Sequence, residues 1–151
     1  NRTIYLKDFY KGYKDLDKSP DEIVSTISFK LPTQNSHYNF EKVSKRIHLD
    51  IASVNTAFQI TISKNVVTQA HLSAGGVGPI PMYLGKTCAF LTDKVLSPET
   101  VQSANEIIQT EINPISDVRG SADYKRLLLR QLFYAHFITL FPHQFTLNSL
   151  K

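Results

Sequence analysis

The chain has 151 residues, 42% of them hydrophobic and 20% charged, and 17 Lys and Arg against 13 Asp and Glu give a net charge of +4. That is enough chain for one domain with a real core, and the balance of charge and apolar content argues against disorder. The basicity is too mild for a dedicated nucleic-acid binder; the single cysteine, Cys88, cannot form an internal disulfide, a zinc site or an iron–sulfur cluster; and no apolar run approaches the ~20 residues that span a bilayer.

A reducing, cytoplasmic setting is the expectation. The opening Asn1-Arg2-Thr3 is unlike a secretory signal, and the only methionine is Met82. The chain therefore reads as an excerpt or processed product of something longer.

Residues 1–18 are aromatic and basic, with Tyr5, Phe9, Tyr10 and Tyr13 among lysines, and hold no clean period. They read as an extended arm with a turn at Lys11-Gly12. Ser19-Pro20-Asp21-Glu22 has the spacing of a capping box and predicts one helical turn. Ile23, Ser25, Ile27, Phe29 and Leu31 then alternate with Val24, Thr26, Ser28 and Lys30, which predicts a first strand ending at Leu31. A loop over 32–36 leads to a second strand over 38–44.

The clearest element begins after Asp50-Ile51-Ala52. Val54, Thr56, Phe58, Ile60 and Ile62 share one face, and Asn55, Ala57, Gln59, Thr61 and Ser63 the other, so the sheet is buried on one side. Lys64-Asn65 predicts a two-residue hairpin turn. The returning strand, over 66–73, places Val66, Ala70 and Leu72 inward. Three glycines and two prolines fall within 74–81, a loop stripped of side chains where backbone approaches a ligand or another segment closely.

Three helices follow. The first, over 83–92, is weakly specified around Leu84, Cys88 and Leu91. The second opens at Ser97 as N-cap, with Pro98 and Glu99 in its first turn, and Asn113-Pro114 ends it. Its apolar stripe is Val101, Ala104, Ile108 and Ile112. The third runs from Ser121 to Phe141 with Leu128, Leu132, Ala135 and Phe137 in its apolar surface, and the tail from His143 is expected to be loose. Strands followed by helices predict an α+β fold: an antiparallel three- to four-stranded sheet, then three helices packed on one face.

No self-contained active site is visible. There is no nucleophile elbow, and the histidines are scattered. Cys88 reads as a small buried hydrophobe and His136 as a satisfied core or interface residue, while His71 lies on the polar strand face near the glycine loop. Two polar corners remain as ligand candidates: the basic run from Lys42 to Asp50, and the glycine loop.

Four stretches together resemble the C-terminal domain of the FAD-binding subunit or module of the xanthine dehydrogenase (molybdenum hydroxylase) family, bacterial small-subunit branch, shared with the carbon monoxide dehydrogenase flavoprotein. They are Ile4-Tyr5-Leu6-Lys7-Asp8-Phe9-Tyr10-Lys11-Gly12-Tyr13 with Ser19-Pro20-Asp21-Glu22-Ile23; Lys42-Val43-Ser44-Lys45-Arg46 followed by Asp50-Ile51-Ala52; Ala74-Gly75-Gly76-Val77-Gly78; and Ser116-Asp117-Val118-Arg119-Gly120-Ser121-Ala122-Asp123-Tyr124-Lys125-Arg126. The resemblance implies three parts. Residues 1–31 are the end of a preceding FAD-binding domain plus the first strand, 32–142 the domain itself, and 143–151 a tail.

It also implies that the chain helps to form an FAD/NAD site passing electrons from iron–sulfur clusters to NAD, and is not catalytic alone. FAD is shared with an upstream domain; molybdopterin and [2Fe–2S] clusters belong to other domains or subunits. Its partners would be that upstream domain, an iron–sulfur domain and a molybdenum-binding subunit, with no nucleic acid and no membrane.

Carried over residue by residue, Val24, Glu41 and Lys42 match flavin contacts, and Lys45, Arg46 and Asp50 lie on a turn beside the isoalloxazine and the NAD approach. Lys45 and Arg46 would favour anionic flavin or dinucleotide phosphates, and Asp50 would oppose this. The turn departs from the family's usual acidic or aromatic residues at Ile47, His48 and Leu49. Weak or absent FAD binding is expected of the chain by itself. A noncatalytic docking module for partner subunits, using the aromatic arm and a sheet edge, is the competing reading.

Overall fold

A computed structural model describes residues 1–150. The body is a four-stranded antiparallel sheet in the order β3–β4–β5–β6, with three helices after it in the chain. Its strands are β3 (Ser36–Val43), β4 (Val54–Ser63), β5 (Val66–Gly75) and β6 (Met82–Tyr83); its helices are α2 (Gly85–Leu91), α3 (Pro98–Glu111) and α4 (Ala122–Leu140). The predicted α+β class and layer order hold. Among the described residues no helix is long and apolar enough to cross a membrane.

The alternation of β4 becomes a buried face. Val54, Thr56, Phe58 and Ile60 are fully buried, and the residues between them are half-buried. Lys64 and Asn65 both adopt positive φ, 49° and 63°, as the favoured two-residue hairpin turn requires. The return strand departs from expectation in one respect. Thr61 pairs with Gln69 but Ile62 pairs with Val67, so Thr68 is an extra residue. This bulge resets the pleat, and Val67, not Val66, joins Ala70, Leu72 and Ala74 inside.

Helices α2 and α4 cover the sheet, α2 against β5 and α4 against β3 and β4, while α3 packs on both helices. Phe58 meets Phe137 at 5.2 Å between ring centres, and Phe133 meets Phe137 edge-on at 5.0 Å. The caps are as predicted: Ser97 Oγ accepts from Thr100 N at 3.2 Å, and Ser121 Oγ from Tyr124 N at 3.1 Å. The buried stripe of α4 is rotated from the expected one. It runs through Lys125, Leu129, Leu132, Phe133, His136 and Phe137, leaving Leu128 and Ala135 half-buried. Helix α2 starts two residues late because Met82 and Tyr83 pair with Ala74 and Ser73 as an edge strand.

The tail is not loose. Phe145 is buried against Phe137, with ring centres 5.6 Å apart, Leu150 is buried, and Gln144 Nε2 donates to Leu96 O at 2.6 Å. An aromatic placed just past a helix end finds a gap in the core that local sequence does not announce.

The N-terminal arm folds differently from expectation. One helical turn, α1 (Leu6–Phe9), leads into a two-stranded hairpin, β1 (Tyr10–Gly12) and β2 (Asp15–Leu16), with Lys14 at φ 59°. The turn therefore lies at Tyr13-Lys14 rather than Lys11-Gly12. Glu22 completes half of the capping box, accepting from Ser19 N at 2.8 Å, and Arg2 clamps the same carboxylate from Nε and Nη2 at 2.9 Å. Those Arg2 hydrogen bonds hold the Glu22 carboxyl down at about 2. No helix follows. The predicted first strand is also absent: residues 22–33 run on without helix, strand, turn or bend. Its alternating pattern has no neighbouring strand to pair with.

Candidate functional site

An antiparallel hairpin brings the start of its first strand and the end of its second together. Val54 and Gly75 therefore lie at one end of the sheet, and with them the charged turn over 44–53 and the glycine loop. The two corners suggested by the sequence are one corner. Gly76 adopts φ 83°, and a Cβ there would collide with the carbonyl of Ser53, so the glycine lets the loop pack onto the base of the turn. A third loop, over 113–121, closes the corner: Asn113 N donates to Val77 O at 3.0 Å and Ser53 Oγ to Arg119 O at 3.0 Å.

Asp50 organises the turn. Its carboxylate accepts from Arg46 N at 2.8 Å and lies 3.6 Å from Arg46 Nη2, while its carbonyl accepts from Lys42 Nζ at 2.8 Å. The Arg46 amide, and then the Arg46 charge, hold the Asp50 carboxyl below the usual range. Arg46 Nη2 also reaches Leu49 O at 3.1 Å, and Ser53 N closes the base onto Val43 O at 2.8 Å. The result is a preformed turn presenting Ile47 and Leu49 almost wholly to solvent, at 92% and 97% exposed. Leu49 has φ 50°, an uncommon conformation for a residue with a branched side chain.

Lys45 joins this turn to the third loop, donating to Val118 O at 2.6 Å. That loop is held from below. Asp117 and Gly120 exchange both backbone hydrogen bonds, and Asp117 Oδ2 lies 2.8 Å from Lys125 Nζ, which also donates to Ile115 O at 2.9 Å. Lys125 is buried in the face of α4, and its hydrogen bond holds the Asp117 carboxyl low. Sequence reading noticed Lys125 only as part of a motif. The available signal was a lysine four residues before Leu129 on the buried helical stripe, a place a charge occupies only when it is paired.

The candidate residues separate. Lys42, Lys45, Arg46 and Asp50 do meet at the corner. Glu41 does not join them, because the pleat sends it to the opposite face from Lys42. There Glu41 Oε1 accepts from Asn39 Nδ2 at 2.8 Å, Asn39 Nδ2 also faces His136 Nδ1 at 3.1 Å, and His136 Nε2 lies 2.8 Å from Thr56 Oγ1. An amide nitrogen only donates, so Nδ1 accepts and the proton sits on Nε2, toward Thr56. Burial pushes the His136 imidazole down to about 4. His136 is thus a satisfied neutral core residue, as its sequence context suggests. Val24 lies in the unpaired segment, outside the loops that build the corner.

Two other candidates resolve simply. His71 Nδ1 is 2.8 Å from the Tyr83 hydroxyl in a small hollow lined by Tyr38, Gln59 and Tyr83. Cys88 is buried, its Sγ accepts from Leu72 N at 3.1 Å, and burial pushes its thiol up, away from reactivity. Among the described residues no group of His, Cys, Asp and Glu could hold a metal ion.

The concavity at the corner, lined by residues 42–47, is shallow and open. Cations on a rigid turn suit one wall beside an anionic group whose other walls come from elsewhere. The fold and corner define a sheet-and-helix module with one open, charged corner.

Residues 39–140 match the sequence model of the CO dehydrogenase flavoprotein C-terminal domain, and the chain belongs to that family. Xanthine dehydrogenase of Emericella nidulans is 31% identical over 87% of this chain and 10% of its own length. The glyceraldehyde dehydrogenase medium chain of Sulfolobus acidocaldarius is 27% identical over 87% of this chain and 46% of its own. Quinoline 2-oxidoreductase of Pseudomonas putida 86 superposes with a TM-score of 0.79 over 99% of this chain and 50% of that one, at 21% identity, a likeness of fold. The chain thus spans between a tenth and a half of the relatives it matches.

Proposed function

We propose that this chain is the C-terminal part of the flavoprotein component of a xanthine dehydrogenase-type molybdenum hydroxylase. Its corner of Lys42, Lys45, Arg46 and Asp50 forms one wall of an FAD/NAD site. The observation behind this reading is the preformed turn: Asp50 organises it, Lys45 ties it to the third loop, and it offers cations without enclosing a pocket. When bound, the flavin supplies the capacity to take electrons from iron–sulfur clusters and pass them to NAD. Lys45 and Arg46 favour anionic groups beside the turn, Asp50 moderates that field, and the buried Lys125 keeps the third loop in position.

FAD is shared with an upstream flavin-binding domain. The iron–sulfur domain, the molybdopterin-binding subunit and a cytoplasmic setting belong to the same proposal, and the chain alone is inactive. Val24 and Glu41 belong to the proposed flavin vicinity by resemblance alone. A flavin titration of the 151-residue chain, followed by fluorescence, should give weak or no binding. Stoichiometric tight binding and a yellow purified protein would overturn the shared-site reading. A docking module for partner subunits is the second reading, favoured by the exposed Ile47 and Leu49 at the turn's tip.

A further inference from the structure

The two edges of the four-stranded sheet are finished differently. The β5 edge is occupied. Val67 N donates to Lys94 O at 2.9 Å, and Val67 O accepts from Asp93 N at 2.8 Å. Leu72 O accepts from Leu84 N at 2.9 Å, Leu72 N donates to Cys88 Sγ at 3.1 Å, and β6 pairs with Ser73 and Ala74. The β3 edge is open. Asn35 O accepts from Ile62 N at 3.2 Å, so odd-numbered residues turn their backbone groups to β4, and Tyr38, Phe40 and Lys42 turn theirs outward. Ser36 N on Thr33 O and Ser53 N on Val43 O close the two ends of the strand. Between them, among the described residues, the outward backbone groups have no hydrogen-bond partner.

Folded proteins blunt such an edge with a short strand, a proline or a bulge. β3 has none of these: it runs for 8 residues without proline, and its register with β4 is unbroken. Tyr38 and Phe40 stand beside the open groups, 60% and 51% exposed. Helix α4, packed over β3 and β4, adds an apolar wall. Arg126 reaches α3, its Nη1 donating to Gln109 O at 2.8 Å. By the helix period Leu128 and Ala135 lie across α4 from Arg126, toward the β3 edge, and both are only half-buried.

We infer that β3 is a self-association edge, pairing antiparallel with β3 of a second copy about a two-fold axis at Asn39 and joining the two sheets into one. In that register the outward backbone groups of Tyr38 and Phe40 exchange hydrogen bonds across the axis. On the open face Phe40 lies opposite Tyr38 of the second copy, and Lys42 opposite its Ser36. On the helix-covered face Glu41 lies opposite His37 of the second copy. Glu41 Oε1 accepts from Asn39 Nδ2 at 2.8 Å, which leaves Oε2 for that imidazole. The two-fold makes each pair occur twice: aromatic meets aromatic, carboxylate meets imidazole, and no like charges face each other. This self-complementarity selects a second copy as the partner strand. The same axis sets α4 beside its copy, where the flanks of Leu128 and Ala135 meet.

Sedimentation velocity on the 151-residue chain, run from low micromolar to near-millimolar concentration, tests this. The chain should pass from monomer to dimer, and the amides of Tyr38, Phe40 and Lys42 should gain protection from hydrogen exchange over the same range. Phe40→Pro removes an N–H that β4 does not use. The far-UV spectrum should therefore be kept while dimerisation weakens by at least about 100-fold, because two symmetry-related bonds are lost. Tyr38→Lys keeps the test sound if the proline disturbs the fold. It leaves the backbone intact, puts a lysine on the edge and should weaken the dimer about 10-fold. Phe29→Ser, in the other exposed apolar segment, should leave the dimer unchanged. A monomer at every concentration overturns the inference. So does a dimer that neither β3 variant weakens, or one that Phe29→Ser abolishes. Protection of the three edge amides in a monomer would assign the edge to a different strand and overturns it too.

Discussion

Strand β4 and residues 23–31 share the same two-residue period and end in opposite states. In β4 Val54, Phe58 and Ile60 lie at zero exposure beneath the helices, flanked in register by β3 and β5. In the N-terminal segment five large apolar side chains, Ile23, Val24, Ile27, Phe29 and Leu31, stand in solvent, and the backbone has no ladder. The pattern specifies which face a strand would bury. Whether another strand and a core lie there to receive it depends on the rest of the molecule.

The largest test of that contrast is to remove one aromatic from each region. Phe58→Ala should cost about 3–5 kcal/mol in urea unfolding, because Phe133, His136 and Phe137 would line the cavity left behind. Phe29→Ala in the same chain should stay within about 0.5 kcal/mol, as an exposed substitution does. A comparable cost at Phe29 would mean that the segment already packs on something.

The buried side of the contrast also carries a pH signature. His136 is neutral in the fold down to about 4, while the unfolded chain takes up that proton near pH 6.5. The unfolded state binds more protons between those values, so stability should fall as pH drops from about 6.5 toward 4, by roughly 3 kcal/mol from this group. His136→Gln should flatten that slope in a series of urea titrations. Glu41 is linked to His136 through Asn39. If the slope persists in the variant, its source lies elsewhere.

The smallest effect belongs to the exposed turn, which resembles the N-terminal segment in exposure but is locally fixed. Leu49→Gly should leave the fold intact and stabilise it by up to about 1 kcal/mol, because glycine adopts positive φ without strain. A loss of stability would show that the Leu49 side chain packs against the body.

Much of the body was legible. The β4–β5 hairpin, its Lys64-Asn65 turn, both Ser N-caps, and the buried roles of Cys88 and His136 follow from spacing and residue chemistry. The failures share one cause. Val66 was displaced by a bulge, Phe145 by a gap in the core, the stripe of α4 by the direction from which the sheet approaches, and the first strand by a missing neighbour. None of these is encoded within a window of a few residues. The candidate corner behaved likewise: Lys42, Lys45, Arg46 and Asp50 were visible as a charged run, but Glu41 falls on the other face, and the motif that contains Lys125 did not reveal its place beneath the loop.

By itself the sequence determined the α+β order, the polar and apolar faces of the long hairpin, and the positions of its caps and turns, because these arise from backbone sterics, pleat and helix period. Tertiary structure alone decided that the charged turn, the glycine loop and the third loop share one end of the sheet. An antiparallel hairpin returns its chain to where it began, and Gly76 against Ser53 and Lys45 on Val118 then lock the three together. Tertiary structure also decided which alternating segment became core, since burial needs a partner surface that no pattern supplies.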